Sequence, residues 1–296
     1  MKKITFIVNP VSGVKSKAKL LDRIRELMPL KDCEWRMVTT ESPGHATELA
    51  AQAASSGSDV VVAIGGDGTV NEVARGLVGS SAALGIIPFG SGNGLARDLG
   101  VPMKPEEALS YILDNVDLSN RIDCCIINGE KYFCTAGVGY DARVSADYAR
   151  RNKEGHRGLI TYVLAAVRKW FENKTCRITM SIDDTTNVEV DSLLVTFANA
   201  SQYGNDAFIA PRASMRDGLI DVVVVKPISL WSVPRLVVQL FRRCVDKNKH
   251  VEVYRAKKVI LTTATDEPFH YDGENGQPSS RFEVEICPAA LNVVGE

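Results

Sequence analysis

Apolar residues recur with two different periods along this chain, and the change falls near residue 124. Before it, short apolar-rich runs at 4–8, 34–38, 59–64 and 83–87 alternate with segments at 18–28, 43–55, just after 69, and 106–113. In these segments apolar positions return every three or four residues. The runs read as strands and the segments as amphipathic helices; the run at 59–64 has the mark of a strand covered on both faces. Strands alternating with helices predict a parallel or mostly parallel sheet. Beyond residue 124, apolar and polar positions alternate, as in Phe282, Val284 and Ile286. Strands are expected at 125–135, 176–183, 187–198, 219–226, 257–264 and 281–286. Turn signals separate them, at Asn128-Gly129, Asp183-Asp184, Asp217-Gly218 and Asp272-Gly273. This predicts an antiparallel β domain. Two helical patterns interrupt it, at 156–173 and 230–247. Each is read as a core face with a solvated basic back, against the alternative of a face that docks on a membrane.

The most informative stretch is 59–78, DVVVAIGGDGTVNEVARGLV. A strand breaks into Gly65-Gly66-Asp67-Gly68-Thr69 and continues as a helix with Val70, Val73, Ala74 and Leu77 on one face. That arrangement aims backbone N–H groups and a helix N-terminus at a phosphate. Asp67 would repel bound phosphates unless a cation intervenes, so it points to Mg²⁺ or to a part in the chemistry. Gly66, Gly68 and Thr69 offer donors, and a second glycine-rich turn, Gly90-Ser91-Gly92-Asn93-Gly94, offers Ser91 and Asn93. The turns at 9–13, 39–44, 65–69 and 90–94 all follow strands, so they should meet at one sheet edge, where ligands of such sheets bind. Neither G-x-x-x-x-G-K-[ST] nor G-x-G-x-x-G is present after the first strand, and Gly137-Val138-Gly139 is read as a structural turn.

Composition narrows the picture. The chain has 296 residues, enough for two domains, is 45% hydrophobic and carries a net charge of -1, which argues against nucleic acid as the main partner. Its seven cysteines are odd in number and include no C-x-x-C, so reduced thiols in a cytoplasmic protein are expected, without structural zinc. The opening MKKITFIVNPVSG has too short an apolar run for a signal peptide and is read as a first strand. No apolar run is long enough to span a membrane, so lipid contact would be peripheral. His45, His156, His250 and His270 show no metal spacing, and no Ser-His-Asp or Cys-His set is evident.

NPVSG at 9–13, GGDGTVNE at 65–72 and GSGNGLAR at 90–97 stand in an order and spacing that resemble the catalytic domain of diacylglycerol and sphingoid-base kinases. The resemblance continues in AGVGYDARV at 136–144, YGNDAFIAPRASMRDGLIDVVVV at 203–225 and YDGE at 271–274, covering nearly the whole chain. It implies an α/β nucleotide-binding domain, 1–124 with a returning tail at 287–296, like that of NAD kinase and phosphofructokinase. A lipid-binding β-sandwich would occupy 125–286. It implies transfer of the γ-phosphate of MgATP to a lipid primary hydroxyl at a membrane surface, with catalysis between the domains. Diacylglycerol is the first choice of acceptor, and a sphingoid base or ceramide the alternative.

Carried over by position, the resemblance places Asn9, Ser12 and Thr40 at the nucleotide; each alone could equally be a turn cap. It assigns proton acceptance to Asp272-Gly273-Glu274, without saying which acid acts. Read without it, Asp272-Gly273 is an ordinary hairpin signal. It also implies a separate Mg²⁺ site made by the Asp217 carboxylate and the carbonyls of Ser214 and Leu219. Arg97 and Asp123 could join a charge network around Asp67. Many relatives carry Asp where this chain has Gly94; a small residue there is more like the sphingosine and ceramide branch. Rival readings are an NAD kinase-like enzyme and a non-catalytic binding module. The oligomeric state, a homodimer included, stays open.

Overall fold

The apolar runs of the N-terminal region become β1 (Lys2–Val8), β2 (Cys33–Thr39), β3 (Val60–Gly65) and β4 (Ala83–Pro88). The amphipathic segments become α1 (Ala18–Leu27), α2 (His45–Ser55), α3 (Asp67–Leu77), α4 (Gly94–Asp98) and α5 (Pro105–Asp114). The computed structural model describes residues 1–11, 17–140, 142–144 and 175–295. The chain divides into two units, Met1–Cys124 with Pro288–Glu296, and Cys125–Cys287.

In the first unit β1 pairs in parallel with β2 on one side and β3 on the other, and β3 pairs in parallel with β4. The order β2-β1-β3-β4 reverses direction between β1 and β3. All six residues of β3 and of β4 are buried, as strands covered by helices on both faces should be. The edge strand β2 instead alternates between half-buried and exposed positions. Against the sheet, α3 buries Val70, Val73, Ala74 and Leu77, the stripe read from its spacing.

After α5 come β5 (Ser119–Ile127), β6 (Glu130–Tyr132), β7 (Thr135–Gly139), β8 (Cys176–Ile182), β9 (Thr186–Ser192), β10 (Leu194–Ala198) and β11 (Ile220–Val225). They are followed by α6 (Val233–Phe241), β12 (Val251–Ala256), β13 (Lys258–Glu267), β14 (Phe269–Tyr271), β15 (Glu274–Asn275) and β16 (Ser279–Val294). Strand β16 is long enough to serve both units by sequence: its first half pairs antiparallel with β13, and its last residues, Asn292 and Val293, pair in parallel with β4.

Within the second unit one sheet runs β16-β13-β8-β9 and the other β12-β11-β10-β7-β14-β15. Inward residues of both form one core, including Met180, Phe197, Val222, Leu261, Phe269 and Phe282. This is a β-sandwich. The outer face of the second sheet is covered too, by Ile209, Ala210 and Val245 with Leu236 and Leu240 of α6 packed against them.

Several expectations change. The run at 125–135 is broken by the Asn128-Gly129 turn, whose residues take φ of 48° and 88°. The run at 187–198 is two strands in different sheets, because Leu193 lies between them. Gly137-Val138-Gly139 is the buried end of β7 rather than a turn. Its glycines leave β7 room between β10 and β14, and a Cβ on Gly139 would sit 3.0 Å from the Leu193 carbonyl oxygen. Strands β12 and β14 carried too short a pattern to be seen. The pattern at 230–247 yields a helix only over Val233–Phe241, flanked by single 3-10 turns. The pattern at 156–173 lies outside the described residues.

Phe282 is fully buried, with its ring edge-on to Phe269 at 5.5 Å between centroids. Phe282→Ala should therefore cost about 3–5 kcal/mol of stability. Urea unfolding followed by circular dichroism would check this, and a loss below about 1 kcal/mol would contradict a shared core.

Candidate active site

The reversal between β1 and β3 leaves a crevice at their carboxyl ends, the place where open α/β sheets bind ligands. Asn9, the residue after β1, spans it. Its backbone N–H donates to the Ile64 carbonyl at 3.2 Å, and its Nδ2 donates to Thr69 Oγ1 at 2.9 Å. Its Oδ1 accepts the Val11 N–H at 3.0 Å, closing the turn. Thr40, after β2, is buried and donates its N–H to the Val8 carbonyl at 2.9 Å. Ser12 lies outside the described residues.

Asp67 joins the two glycine turns. Its Oδ2 accepts the Asn93 N–H at 3.0 Å and its Oδ1 the Gly94 N–H at 2.8 Å. It is also the first residue of α3, while Asn93 and Gly94 open α4. The carboxylate thus faces the N-termini of two helices, where negative charge is favoured. Asn93 closes its own turn, accepting the Gly90 N–H on Oδ1 at 3.0 Å and donating Nδ2 to the Gly90 carbonyl at 2.9 Å. The turns approach so closely that a Cβ on Gly90 would lie 2.9 Å from Gly66 Cα. Only glycine permits this contact. Gly68 and Ser91 are exposed at this edge. Arg97 Nε supports the second turn through the Gly92 carbonyl at 3.0 Å, and Asp123 accepts the Ala289 N–H at 2.8 Å.

Lys17 was not legible as a site residue because it belongs to no motif. It is buried, its ammonium lies 5.0 Å from the centre of the Phe89 ring, and burial lowers its pKa. Phe89 follows β4 directly, so a cation is held beside the cradle.

In the second unit, Asp272 and Gly273 form the two-residue turn between β14 and β15, with φ of 47° and 84°. Positive φ at both positions is the hairpin geometry that Asp-Gly favours. The turn is more than a connection. The Asp272 carboxylate accepts three backbone N–H groups: Phe133 at 2.7 Å, Cys134 at 2.8 Å and Thr135 at 3.0 Å. Its own N–H donates to the Thr135 carbonyl at 2.8 Å. Glu274, two residues on, is half-buried at the start of β15.

Asp217 Oδ1 accepts the Leu219 N–H at 3.1 Å, and its Oδ2 is ion-paired with Arg255. Ser214 Oγ accepts the Arg216 N–H at 3.3 Å. A Mg²⁺ ion prefers an all-oxygen shell, and here a guanidinium already occupies the carboxylate. Of that set, the Asp217 carboxylate is thus already paired with a cationic side chain. Neighbouring Asp221 is buried, and its Oδ2 lies 3.8 Å from Arg255 Nε. Burial pushes its carboxyl up to about 6, against the pull of Arg255 and with a further push from Asp217.

A glycine-built phosphate cradle on a parallel sheet, in a chain that also carries a β-sandwich with an anchored acidic hairpin, defines a phosphoryl-transfer protein. The family model described as "diacylglycerol kinase catalytic domain" matches residues 3–125. That of the "YegS C-terminal NAD kinase beta sandwich-like domain" matches residues 134–295. The chain is 30% identical to a diacylglycerol kinase of Mycobacterium tuberculosis, over 99% of this chain and 94% of that one. It is 28% identical to a diacylglycerol kinase of Bacillus subtilis, over 93% and 91%. Among solved structures, a diacylglycerol kinase from Bacillus anthracis superposes with a TM-score of 0.76 at 20% identity, covering 100% of this chain and 97% of that one. An NAD kinase from Archaeoglobus fulgidus in complex with ATP gives 0.55 at 12% identity, covering 99% and 93%, and shares the fold. The chain belongs to the diacylglycerol kinase family and is an ATP-dependent lipid kinase.

Asp67→Asn presents one acceptor to two N–H groups. A hydrogen bond to a charged partner contributes about 1.5–3 kcal/mol, so ATP binding should weaken about tenfold or more. Calorimetric titration would show it, and unchanged affinity would mean the bridge does not shape the cradle. Asp221 gives a pH test. Its folded pKa is raised, so its contribution is present below the ordinary carboxylate range and lost as pH rises through about 6. Asp221→Asn should remove that slope, gaining on the wild type in urea midpoint as pH rises from about 4 to about 6. A constant difference would place its titration elsewhere.

Proposed function

We propose that the protein transfers the γ-phosphate of MgATP to the primary hydroxyl of diacylglycerol, giving phosphatidic acid. The observation that carries the nucleotide half of this reading is the Asp67 bridge, which holds two glycine turns together at the switch point of the sheet. Backbone N–H groups at Gly66, Gly68 and Thr69 bind phosphate oxygens there, with Asn9 fixing Thr69. An Mg²⁺ bound with the nucleotide would neutralise phosphate charge, and Asp67 is the carboxylate the glycine turns would offer it. The choice of diacylglycerol rests on relatives of that name that match almost the whole chain.

Glu274 is the group that accepts the hydroxyl proton. Asp272 is poorly suited to that task, because both of its oxygens are committed to backbone N–H groups that need an acceptor. Asp272 instead fixes the hairpin whose second strand Glu274 begins. The buried Gly94 is the one observation that favours a second acceptor class, sphingoid bases and ceramides.

The test uses γ-labelled ATP, Mg²⁺ and mixed micelles holding diacylglycerol, sphinganine or ceramide, with NAD as a soluble control. Label should enter diacylglycerol. Glu274→Gln should lower kcat by about 10²–10⁴-fold with little change in KM or stability. Asp272→Ala should lose roughly 3 kcal/mol or more of stability, since it strands three buried N–H groups. An active Glu274→Gln beside a stable, inactive Asp272→Ala would reverse the two roles. Label in sphinganine or ceramide alone would replace the acceptor.

A further inference from the structure

The segment 229–250 contains α6 and breaks two habits of the rest of the molecule. Nine large hydrophobic side chains are strongly exposed among the described residues, and four of them, Trp231, Val237, Val238 and Phe241, fall within this one short segment. Trp231 is 91% exposed. Single exposed apolar residues are ordinary, but a cluster marks a contact surface. None of the nine residues of α6 is fully buried.

Helical geometry explains why. At about 100° per residue, Val233, Leu236 and Leu240 fall on one side, and Leu236 and Leu240 pack on the cluster over the second sheet. Val237, Phe241, Pro234 and Val238 continue around the next part of the circumference, past what the sheet covers. The apolar arc is wider than the core it serves. The helix is nevertheless fixed in place. The Leu240 carbonyl accepts the Phe208 N–H at 3.1 Å, Gln239 Oε1 accepts Asn248 Nδ2 at 2.6 Å, and the Arg243 guanidinium lies over the Phe208 ring at 3.9 Å. The apolar stripe is therefore presented, not frayed.

Charge identifies what covers it. The chain as a whole carries a net charge of -1, yet 229–250 holds Arg235, Arg242, Arg243, Lys247 and Lys249 against a single acid, Asp246. That acid is already paired with Arg212. Exposed Arg235 and Arg242 flank the apolar stripe. An indole, aliphatic and phenyl side chains, and arginines around them, suit the boundary between headgroups and acyl chains of an anionic bilayer. We propose that α6 and the Trp231 turn before it form the surface by which this kinase docks on anionic lipid. The inference needs a lipid kinase but not a particular lipid acceptor.

Vesicles of phosphatidylcholine, with or without phosphatidylglycerol, would be sedimented with the protein in the absence of nucleotide. The wild type should bind vesicles containing phosphatidylglycerol, with a blue shift in tryptophan emission that Trp231→Ser lacks. Trp231→Ser/Val238→Ser/Phe241→Ser and Arg235→Gln/Arg242→Gln should each bind about tenfold more weakly. The second variant should also lose much of its salt dependence. Both should keep wild-type turnover of a short-chain diacylglycerol presented as monomers. Absence of wild-type binding, or equal binding by both variants, would overturn the proposal. So would an apolar variant that binds vesicles normally but converts a dimer to a monomer, which would assign the stripe to a second copy. Because binding is read without ATP, a wrong acceptor would show only in the turnover assay.

Discussion

A carboxylate in a glycine-built turn is an electrostatic liability unless backbone amides hold it. Asp67 meets that condition. Its two oxygens each take an N–H from the opening of α4, while its own backbone begins α3. The bridge adds to the Phe89 N–H bond to the Gly65 carbonyl at 2.7 Å, where the chains touch at glycines that leave no side chain to interlock. The close approach of Gly66 and Gly90 and the bridge require each other. Small residues bring the amides near, and the carboxylate holds them oriented. What remains exposed there is Gly68 and Ser91.

The second unit uses the same physics. Asp272 is also an acid in a turn, and its oxygens also satisfy successive backbone N–H groups. A stretch such as 133–135, entering β7, carries donors that no neighbouring strand accepts, and buried donors must be matched. Asp272 matches them and fixes the hairpin register at Tyr271 and Glu274. Asp272 is tied to the backbone, and Glu274 stands at the start of a two-residue strand.

Most of the architecture could be read from the sequence because it rests on periods. Fully apolar runs became β3 and β4, and the three-to-four spacing after Thr69 became α3. The glycine turns could be located because strand order forces them to one edge. Other features rest on pairing and could not be read. Nothing in the run at 187–198 says that it changes sheets at Leu193. Nothing in Asp217 says that Arg255, far along the chain, pairs with it. Lys17 escaped notice for the same reason, since its significance lies in the Phe89 ring. At Asp272-Gly273 the hairpin signal is borne out by the positive φ of both residues.

Net charge has a related blindness. A value of -1 for the whole chain argues against nucleic acid as the main partner, yet it is a sum over distances much greater than a surface can sense. Screening in physiological salt limits a charged group's reach to about 8 Å, so a partner meets only the local balance. Around α6 that balance is strongly positive, and it coincides with apolar side chains that no part of the described fold covers. Amphipathic periodicity alone could not separate a core face from a docking face, because both show the same spacing. Only the width of the apolar arc, measured against the sheet beneath it, makes that distinction.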